Sequence, residues 1–398
     1  MANALVGVTG GIAAYKAVGV VRALIKAGWH VRVIPTADAL QMVGKATWEA
    51  LTGEPVRTGV FEDAQHVDHI EAARKADVAL VVPATANVLA KMACGIADDL
   101  LSTTLLALTC PLVVVPAMHT QMWEHPATQT NVDTLRTRGV RVVTPAQGDL
   151  SSGDSGRGRL PDEATILFHL KAALRKQSLR GYKAAVSAGG TREPLDPVRW
   201  IGNRSSGRMG ASIASELAAA GAEVTFVGAN VEDAIVPAGT RVVSVASTAE
   251  LEEAMLAAQA ECDILVQCAA VADFTPKTVS AGKIKKTPAD TMVLELTKNP
   301  DILAELAQNR RPGQLVVGFA AETGTPTEVA QLGKEKARRK GADLLVINQV
   351  GDTAGFGDVD TTITLVDAKG QQLGSAQGPK DVVARAVVEE ISTLASKC

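Results

Sequence analysis

The chain has 398 residues, 46% of them apolar and 21% charged, with 40 basic side chains against 43 acidic ones. At roughly 150 residues per domain, that length points to two or three domains. A net charge of −3 leaves no basic footprint for nucleic acid or an anionic membrane surface, and no stretch reaches the roughly 18 apolar residues of a membrane span.

In chain order, Leu5 to Thr9 reads as a buried strand, Gly10 and Gly11 as a turn, and the next helix runs to about Ala27, where Gly28 ends it. His30–Pro35 is the second strand, and Val78–Val82, Leu112–Val115 and Val140–Val143 are further strand-like runs. Asp162 to Lys176 reads as a helix, with acids in its first turn, bases in its last, and Ile166, Leu167, Leu170 and Leu174 on one face. The pattern then restarts. Lys183–Ala188 is a strand, Gly189-Gly190 a turn, Arg208–Ala220 a helix ended by Gly221, and Glu223–Val227 a strand. Ile264–Ala269, Leu315–Phe319, Leu344–Asn348 and Thr362–Asp367 follow as strands, the last entering a turn at Asp367–Gly370. Short apolar runs alternating with helical periods predict two α/β domains, each a doubly wound parallel sheet. The boundary falls near Gln177 to Arg180, giving domains 1–178 and 179–398. Such sheets bind ligands beyond the carboxyl ends of their strands.

The opening MANALVGVTGG lacks the basic region and longer apolar run of a secretory signal. Cys94, Cys110, Cys262, Cys268 and Cys398 are an odd number without framework spacing, which fits a reducing cytoplasm. Without CxxC, HExxH or a His-rich tract, a dedicated zinc site is not expected. Aromatics at 3% supply few stacking platforms for single-stranded nucleic acid.

Neither glycine turn is a GxGxxG fingerprint, which argues against a dinucleotide oxidoreductase. Thr9-Gly10-Gly11 at a helix start still offers backbone N–H groups to a phosphate. Small polar groups follow at Pro83-Ala84-Thr85-Ala86-Asn87, at Ser102-Thr103 and in Pro116–Trp123. In the second half, Ser187–Gly207 is about twice the length of an ordinary βα connection and carries two prolines. Ser205 and Ser206 there have the chemistry of N-caps. Gln267–Phe274 precedes Lys283-Ile-Lys285-Lys286, a charged run that suits either solvent or a triphosphate. Asn299-Pro300-Asp301 reads as a helix start, and Lys336 with Lys340 as an i,i+4 face.

These segments, in this order, closely resemble the bacterial family of coenzyme A biosynthesis in which phosphopantothenoylcysteine decarboxylase is fused to phosphopantothenate–cysteine ligase. The resemblance covers essentially the whole chain. It implies a flavodoxin-like decarboxylase domain followed by a Rossmann-like ligase domain. In the first, Gly10, Gly11, Ile12, Thr36, Pro83, Ala84, Asn87, Ser102 and Thr103 would hold FMN. His69, in VDHIE, would be the catalytic base in preference to His66. Met118 and His119 would meet the substrate carboxylate; the family's commonest motif has Asn where His119 stands. The flap Gly148–Arg159 places Ser152 where the family usually has a proton-donating Cys. A serine hydroxyl is a far weaker acid than a thiol, so Asp154 or water are alternative donors. Direct loss of carbon dioxide would leave an unstabilised carbanion, and oxidation of the thiol by FMN supplies the electron sink.

In the second domain the resemblance assigns Arg192, Asp196 and Arg199 to phosphopantothenate and Asn203 to turnover of an acyl-cytidylate. It assigns Gln267, Cys268, Ala269, Asp273, Lys283, Pro300, Asp301, Ile302, Leu303, Phe319, Lys336 and Lys340 to CTP. Lys283 would help form the acyl-cytidylate, and Asp273 would meet Mg2+. The implied partners are 4′-phosphopantothenate, L-cysteine and CTP, in a homo-oligomer trimeric through the first half and dimeric through the second. Two other readings remain at this level: a ligase with an impaired flavin half, and an FMN-binding regulatory protein.

Overall fold

Continuous apolar runs such as VALVVPA are buried along their whole length, and they form the central strands. The computed structural model describes residues 2–60, 68–149, 155–285, 292–349 and 360–397. The chain separates into two units, Met1–Arg175 and Lys176–Cys398.

The N-terminal unit is built on β1 (Asn3–Val8), β2 (His30–Pro35), β3 (Val78–Ala84), β4 (Leu112–Pro116) and β5 (Arg141–Val142), all parallel in the order β2-β1-β3-β4-β5. That is the flavodoxin-like order. Its helices are α1 (Ala14–Lys26), α2 (Ala37–Met42), α3 (Lys45–Thr52), α4 (Asp68–Lys75), α5 (Ala86–Cys94), α6 (Leu100–Leu106), α7 (Thr120–Glu124), α8 (Pro126–Thr137) and α9 (Glu163–Ala173). Alternation along β3 sorts its side chains between two layers. Val78, Leu80 and Val82 pack with α1 and α9, whereas Ala79, Val81 and Ala84 pack with α5, α6 and α8. The expected helix from Asp162 begins at Glu163, because Asp162 is its cap and accepts the Thr165 amide at 2.7 Å. The expected strand Val140–Val143 contracts to two residues at the sheet edge. An antiparallel hairpin, β6 (Ala146–Asp149) and β7 (Ser155–Arg159), is formed by a Gly-rich segment without apolar alternation.

The C-terminal unit contains β8 (Lys183–Gly189), β9 (Arg192–Pro194), β10 (Trp200–Gly202), β11 (Glu223–Ala229), β12 (Arg241–Val245), β13 (Ile264–Gln267), β14 (Phe274–Pro276), β15 (Leu296–Lys298), β16 (Leu315–Glu322), β17 (Leu344–Gln349), β18 (Thr361–Asp367) and β19 (Gln372–Gly378). Its helices are α10 (Arg208–Ala219), α11 (Thr248–Glu261), α12 (Ile302–Gln308), α13 (Pro326–Lys340) and α14 (Lys380–Ala395). The main sheet runs β12-β11-β8-β13-β16-β17-β18-β19. It is parallel through β17, but β18 and β19 are antiparallel, so the sheet is mixed and not wholly parallel. The turn after Asp367, whose Oδ1 accepts the amides of Lys369 and Gln371, folds β19 straight back onto β18. The long connection after β8 is a structured hairpin of β9 and β10. Among the described residues, no helix is long and apolar enough to cross a membrane.

His169 on α9 lies near Arg141, and its Nδ1 is buried without a hydrogen-bond partner among the described residues. Burial first, and the guanidinium charge second, push its imidazole down to about 4 from an ordinary 6.5. The folded unit therefore keeps His169 neutral, while the unfolded chain takes up a proton near pH 6.5. Stability of the N-terminal unit should fall as pH drops from 6.5 and level off below about 4, a loss on the order of 3 kcal/mol. His169→Leu should flatten that interval in urea unfolding curves; an unchanged slope would rule out burial of His169 as its cause.

Candidate functional site

In the N-terminal unit the expected residues ring the carboxyl rim of the sheet. Gly10 is required there, since a Cβ would stand 2.3 Å from Asp38 Cβ. The Thr9 hydroxyl donates to the Pro83 carbonyl at 2.7 Å and accepts the Thr85 amide at 3.0 Å, so the ends of β1 and β3 are tied together. Thr36 and Thr85 cap α2 and α5, and Asn87 lies in the first turn of α5. Ile12 is 66% exposed, and the amides of Ile12 and Ala13 at the start of α1 take no partner among the described residues. Those features fit a phosphorylated ligand at this rim. Ser102 and Thr103 act differently. The Ser102 hydroxyl donates to Asp99 Oδ1 and accepts the amides of Asp98 and Asp99, and Thr103 donates to the Asp99 carbonyl. Both hydroxyls are engaged in starting α6.

His69 is the second residue of α4. The end of that helix leads into the amino end of β3, so its first turn points back toward the rim. Its Nδ1 is buried and unpartnered among the described residues. The preceding Asp68, 5% exposed, is gripped by Arg32 on β2 and by Arg57 at 3.1 Å. Burial alone would raise the Asp68 carboxyl, but the two guanidiniums outweigh it and hold it below the ordinary carboxylate range. Beyond β4, the Met118 amide donates to the Gly158 carbonyl at 3.0 Å. A Cβ at Gly158 would lie 2.2 Å from the Met118 carbonyl oxygen, so β7 lies directly on the Met118–Thr120 segment. His119 Nδ1 accepts the Gln121 amide at 3.4 Å and caps α7. Ser152, Asp154 and His66 lie outside the described residues, as does Lys286 of the lysine run. A cavity of about 610 Å³, lined by Tyr15, Lys16, Arg159 and Glu163 among others, contains none of the expected residues.

The C-terminal unit holds a cleft of about 570 Å³ across the ends of β8, β13, β16 and β17. It brings together Asn203, Gln267, Cys268, Ala269, Asp273, Pro300, Asp301, Ile302, Leu303, Phe319, Lys336 and Lys340. It also gathers Arg204, Ser205, Ser206, Arg208, Lys298, Arg339, Asn348 and Lys380. Of these additions, only Ser205 and Ser206 had a local signal; Lys298 and Asn348 stand near strand ends, and Arg208, Arg339 and Lys380 come from helices. Gly189 has φ 86°, and a Cβ on it would lie 2.0 Å from the Ala229 carbonyl oxygen. Its conformation lets α10 begin against the end of β8.

Asn203 Nδ2 donates to the Val271 carbonyl at 2.8 Å and joins the two walls. A buried network reinforces the join. Thr248 Oγ1 donates to Glu193 at 2.7 Å, and Asn299 Nδ2 donates to Thr248 Oγ1 at 3.2 Å and to the Ala272 carbonyl at 2.8 Å. Lys336 pairs with Glu322 at 2.8 Å, and Lys340 pairs with Asp301. Burial pushes the Cys268 thiol up to about 12, so it is protonated and not a nucleophile. Among the described residues, no three His, Cys, Asp or Glu side chains are grouped to hold a metal. Asp273 is an exposed carboxylate on the cleft, and the other one there, Asp301, is paired with Lys340. That donor set suits Mg2+, which takes one or two carboxylates and fills the rest of its shell with phosphates and water.

Arg192, Asp196, Arg199 and Lys283 do not line this cleft. Arg192 lies over the Trp200 ring, 4.6 Å from its centroid. Asp196, 3% exposed, and Arg199 hold the backbone of Ile284 from both sides. Asp196 Oδ2 accepts the Ile284 amide at 3.0 Å, and Arg199 donates to the Ile284 carbonyl at 2.6 Å. Arg199 also donates to Asp196, and together with the Ile284, Val198 and Arg199 amides it holds the Asp196 carboxyl far below its ordinary range. The pair thereby fixes where Lys283 and Lys285 leave the chain. Asp196→Ala should release the segment from Ser280 to Lys285, so trypsin should cut after Lys283 and Lys285 about tenfold faster while circular dichroism is unchanged. Equal cutting rates would contradict the clamp.

The chain matches the Flavoprotein family over residues 2–175 and the DNA/pantothenate metabolism flavoprotein C-terminal domain over residues 179–394. It is 47% identical over 399 residues to the coenzyme A biosynthesis bifunctional protein CoaBC of Mycolicibacterium smegmatis, covering 98% of this chain and 96% of that one. The protein of that name from Mycobacterium tuberculosis is 47% identical over 406 residues, covering 99% and 97%. The one from Vibrio cholerae is 38% identical over 391 residues, covering 97% of each. With both domains matched in the same order and nearly the full length shared, the chain belongs to the family of bifunctional coenzyme A biosynthesis proteins.

Proposed function

We propose that the two units perform consecutive steps. The C-terminal unit joins 4′-phosphopantothenate to L-cysteine at the expense of CTP. The N-terminal unit, with FMN, then decarboxylates the cysteine moiety to give 4′-phosphopantetheine. The observation that carries this reading is the C-terminal cleft, cationic and with its cysteine held protonated, in a chain that also matches the Flavoprotein family over residues 2–175.

In the ligase step the pantothenate carboxylate oxygen attacks the α-phosphorus of CTP and pyrophosphate leaves. The cysteine amine then attacks the mixed anhydride and expels CMP. Such a reaction needs positioning and charge compensation but no covalent protein intermediate. The start of α10 and the cations around it offset negative charge on the phosphates, and Asp273 would hold Mg2+. Lys283, fixed through Ile284, is assigned to the first displacement. Asn203, braced on Val271, is assigned to the second.

In the decarboxylase step FMN, when bound, supplies the oxidation that makes loss of carbon dioxide possible. The residues assigned to hold it are Gly10, Gly11, Ile12, Thr36, Pro83, Ala84 and Asn87, with Ser102 and Thr103 contributing through the start of α6. His69 takes up the substrate thiol proton; its unpartnered Nδ1 supports a role toward an incoming group. His119 donates to the substrate carboxylate. In the sequence Ser152 takes the position at which the family pattern has its proton-donating Cys, and a ligase with impaired decarboxylation is the second reading that this substitution favours. The ligase domain argues against a purely regulatory flavin protein. Ile12 and Tyr15 beside the first rim are more than half exposed, and Trp200 and Phe274 on the hairpins of the second unit about half. They support a homo-oligomer, trimeric through the first unit and dimeric through the second, and the coenzyme A biosynthesis relatives support a cytoplasmic location.

His69→Ala should lower carbon dioxide release by about 10²-fold or more and leave CTP-dependent ligation at the wild-type rate. Asn203→Ala should slow amide formation by about tenfold or more while decarboxylation of supplied phosphopantothenoylcysteine continues. Parallel loss of both activities in either folded variant would dissolve the division of labour. Ser152→Cys should accelerate the final reductive half of the decarboxylation, followed by rapid quench; an unchanged rate would show that another donor already serves.

A further inference from the structure

Gln267, the last residue of β13, is 5% exposed, and its Nε2 is buried without a partner among the described residues. The polarity of its amide is set from behind. Ser187, its register partner on β8, accepts the backbone amides of Cys268 at 3.0 Å and Ala269 at 3.1 Å. Both acceptor positions of that hydroxyl are then in use. Its one hydrogen faces Gln267 Oε1 at 3.0 Å, the shorter of its two contacts, the Val266 carbonyl lying at 3.5 Å. With Oε1 committed to Ser187, the N–H bonds of Nε2 are left for the cleft that Gln267 lines. A buried donor in this condition carries a desolvation penalty until an acceptor arrives.

The surroundings select the acceptor. Gly318, across from Gln267 on β16, is covered by Leu303, and Leu345 lines the same part of the cleft. On α13, Lys336 and Lys340 are paired with Glu322 and Asp301, and Arg339 is the remaining cation of that helix on the cleft. A phosphate fits the start of α10 beside Gly189, where Arg204, Ser205, Ser206 and Arg208 gather. A single neutral donor among leucines fits a carbonyl oxygen or ring nitrogen on a planar base. Building on the ligase reading above, we propose that Gln267 Nε2 donates to an acceptor on the pyrimidine ring of the nucleotide, and that Ser187 is the positioning residue that keeps this donor turned outward.

The test is calorimetric binding of CTP and of inorganic tripolyphosphate to the full chain, as wild type, Gln267→Met and Gln267→Leu. Methionine keeps nearly the volume of glutamine and removes the donor; leucine serves if the methionine variant does not fold. CTP affinity should fall about tenfold or more, and tripolyphosphate affinity should stay within about twofold of wild type. Equal losses for both ligands would mean that the amide meets phosphate, and would overturn the proposal. Unchanged CTP affinity would mean that water satisfies Nε2, and would overturn it too. Wild-type protein that neither binds CTP nor releases pyrophosphate in the presence of phosphopantothenate would overturn the ligase reading itself, a result distinct from the other two.

Discussion

Parallel strands all finish at one rim, and each helix that follows begins there with amide N–H groups it cannot pair internally. Both sites depend on how those groups are settled. In the N-terminal unit Thr36, Thr85 and Asp99 cap α2, α5 and α6. In the C-terminal unit Ser247, Asp301 and Thr325 cap α11, α12 and α13. The helices that follow the first strand of each unit have no side-chain cap: α1 starts after Ala13 and α10 after Gly207. Each rim is thus capped along much of its length and open beside its double-glycine turn, and the C-terminal cleft is also open at α14, which starts after Pro379 without a side-chain cap. An anionic ligand is drawn to the uncapped start, and the capped neighbours do not compete for it.

What the open ends need next is fixed geometry, and side chains gripping backbone supply it. Thr9 bonds the ends of β3 and α5, Asn203 bonds Val271, and Asp196 with Arg199 bonds both sides of Ile284. In each case a polar residue on one loop satisfies main-chain groups of another, so loops far apart in sequence move as one body. The Thr248, Glu193 and Asn299 network does this below the surface, where an unpaired partner would be costly. Reactions that rely on orientation and charge compensation are sensitive to such supports, because small displacements of the reacting groups forfeit much of the rate.

The sequence made the fold readable wherever a segment is buried on both sides. β1 to β4, β8, β11, β13, β16 and β17 are apolar runs with turn residues at their ends, and their parallel order follows from the helices between them. The unread strands are those held by polar contacts. β6 and β7 are Gly-rich, β12 is an exposed edge, and β9, β10, β14 and β15 belong to two-stranded hairpins with little apolar alternation. The antiparallel return of β19 hides in a strand of alternating small and polar residues. The C-terminal cleft was partly readable for the same reason as the sheet: Gln267, Asp273 and Phe319 follow or end apolar strands. Lys298, Arg339, Asn348 and Lys380 are brought there by topology alone. Nothing in the spacing of Asp196 and Arg199 tells which backbone, some eighty-five residues onward, they hold. A resemblance names the residues that matter without saying whether they touch a substrate or hold another residue in place.

The two proposed chemistries make opposite demands, and the two rims differ accordingly. Ligation through a nucleotide anhydride generates phosphate charge and needs no proton held on the protein. The C-terminal cleft answers with cations and a thiol whose proton burial retains. Decarboxylation requires a group that changes its protonation during the reaction. At the N-terminal rim, His69 is placed by a neighbouring carboxylate that is itself fully occupied. Asp68 is committed to Arg32 and Arg57, so it anchors the helix start and does not act as a hydrogen-bond partner for the imidazole. Turning that carboxylate toward two arginines anchors the start of the helix that carries His69, whose Nδ1 has no hydrogen-bond partner among the described residues.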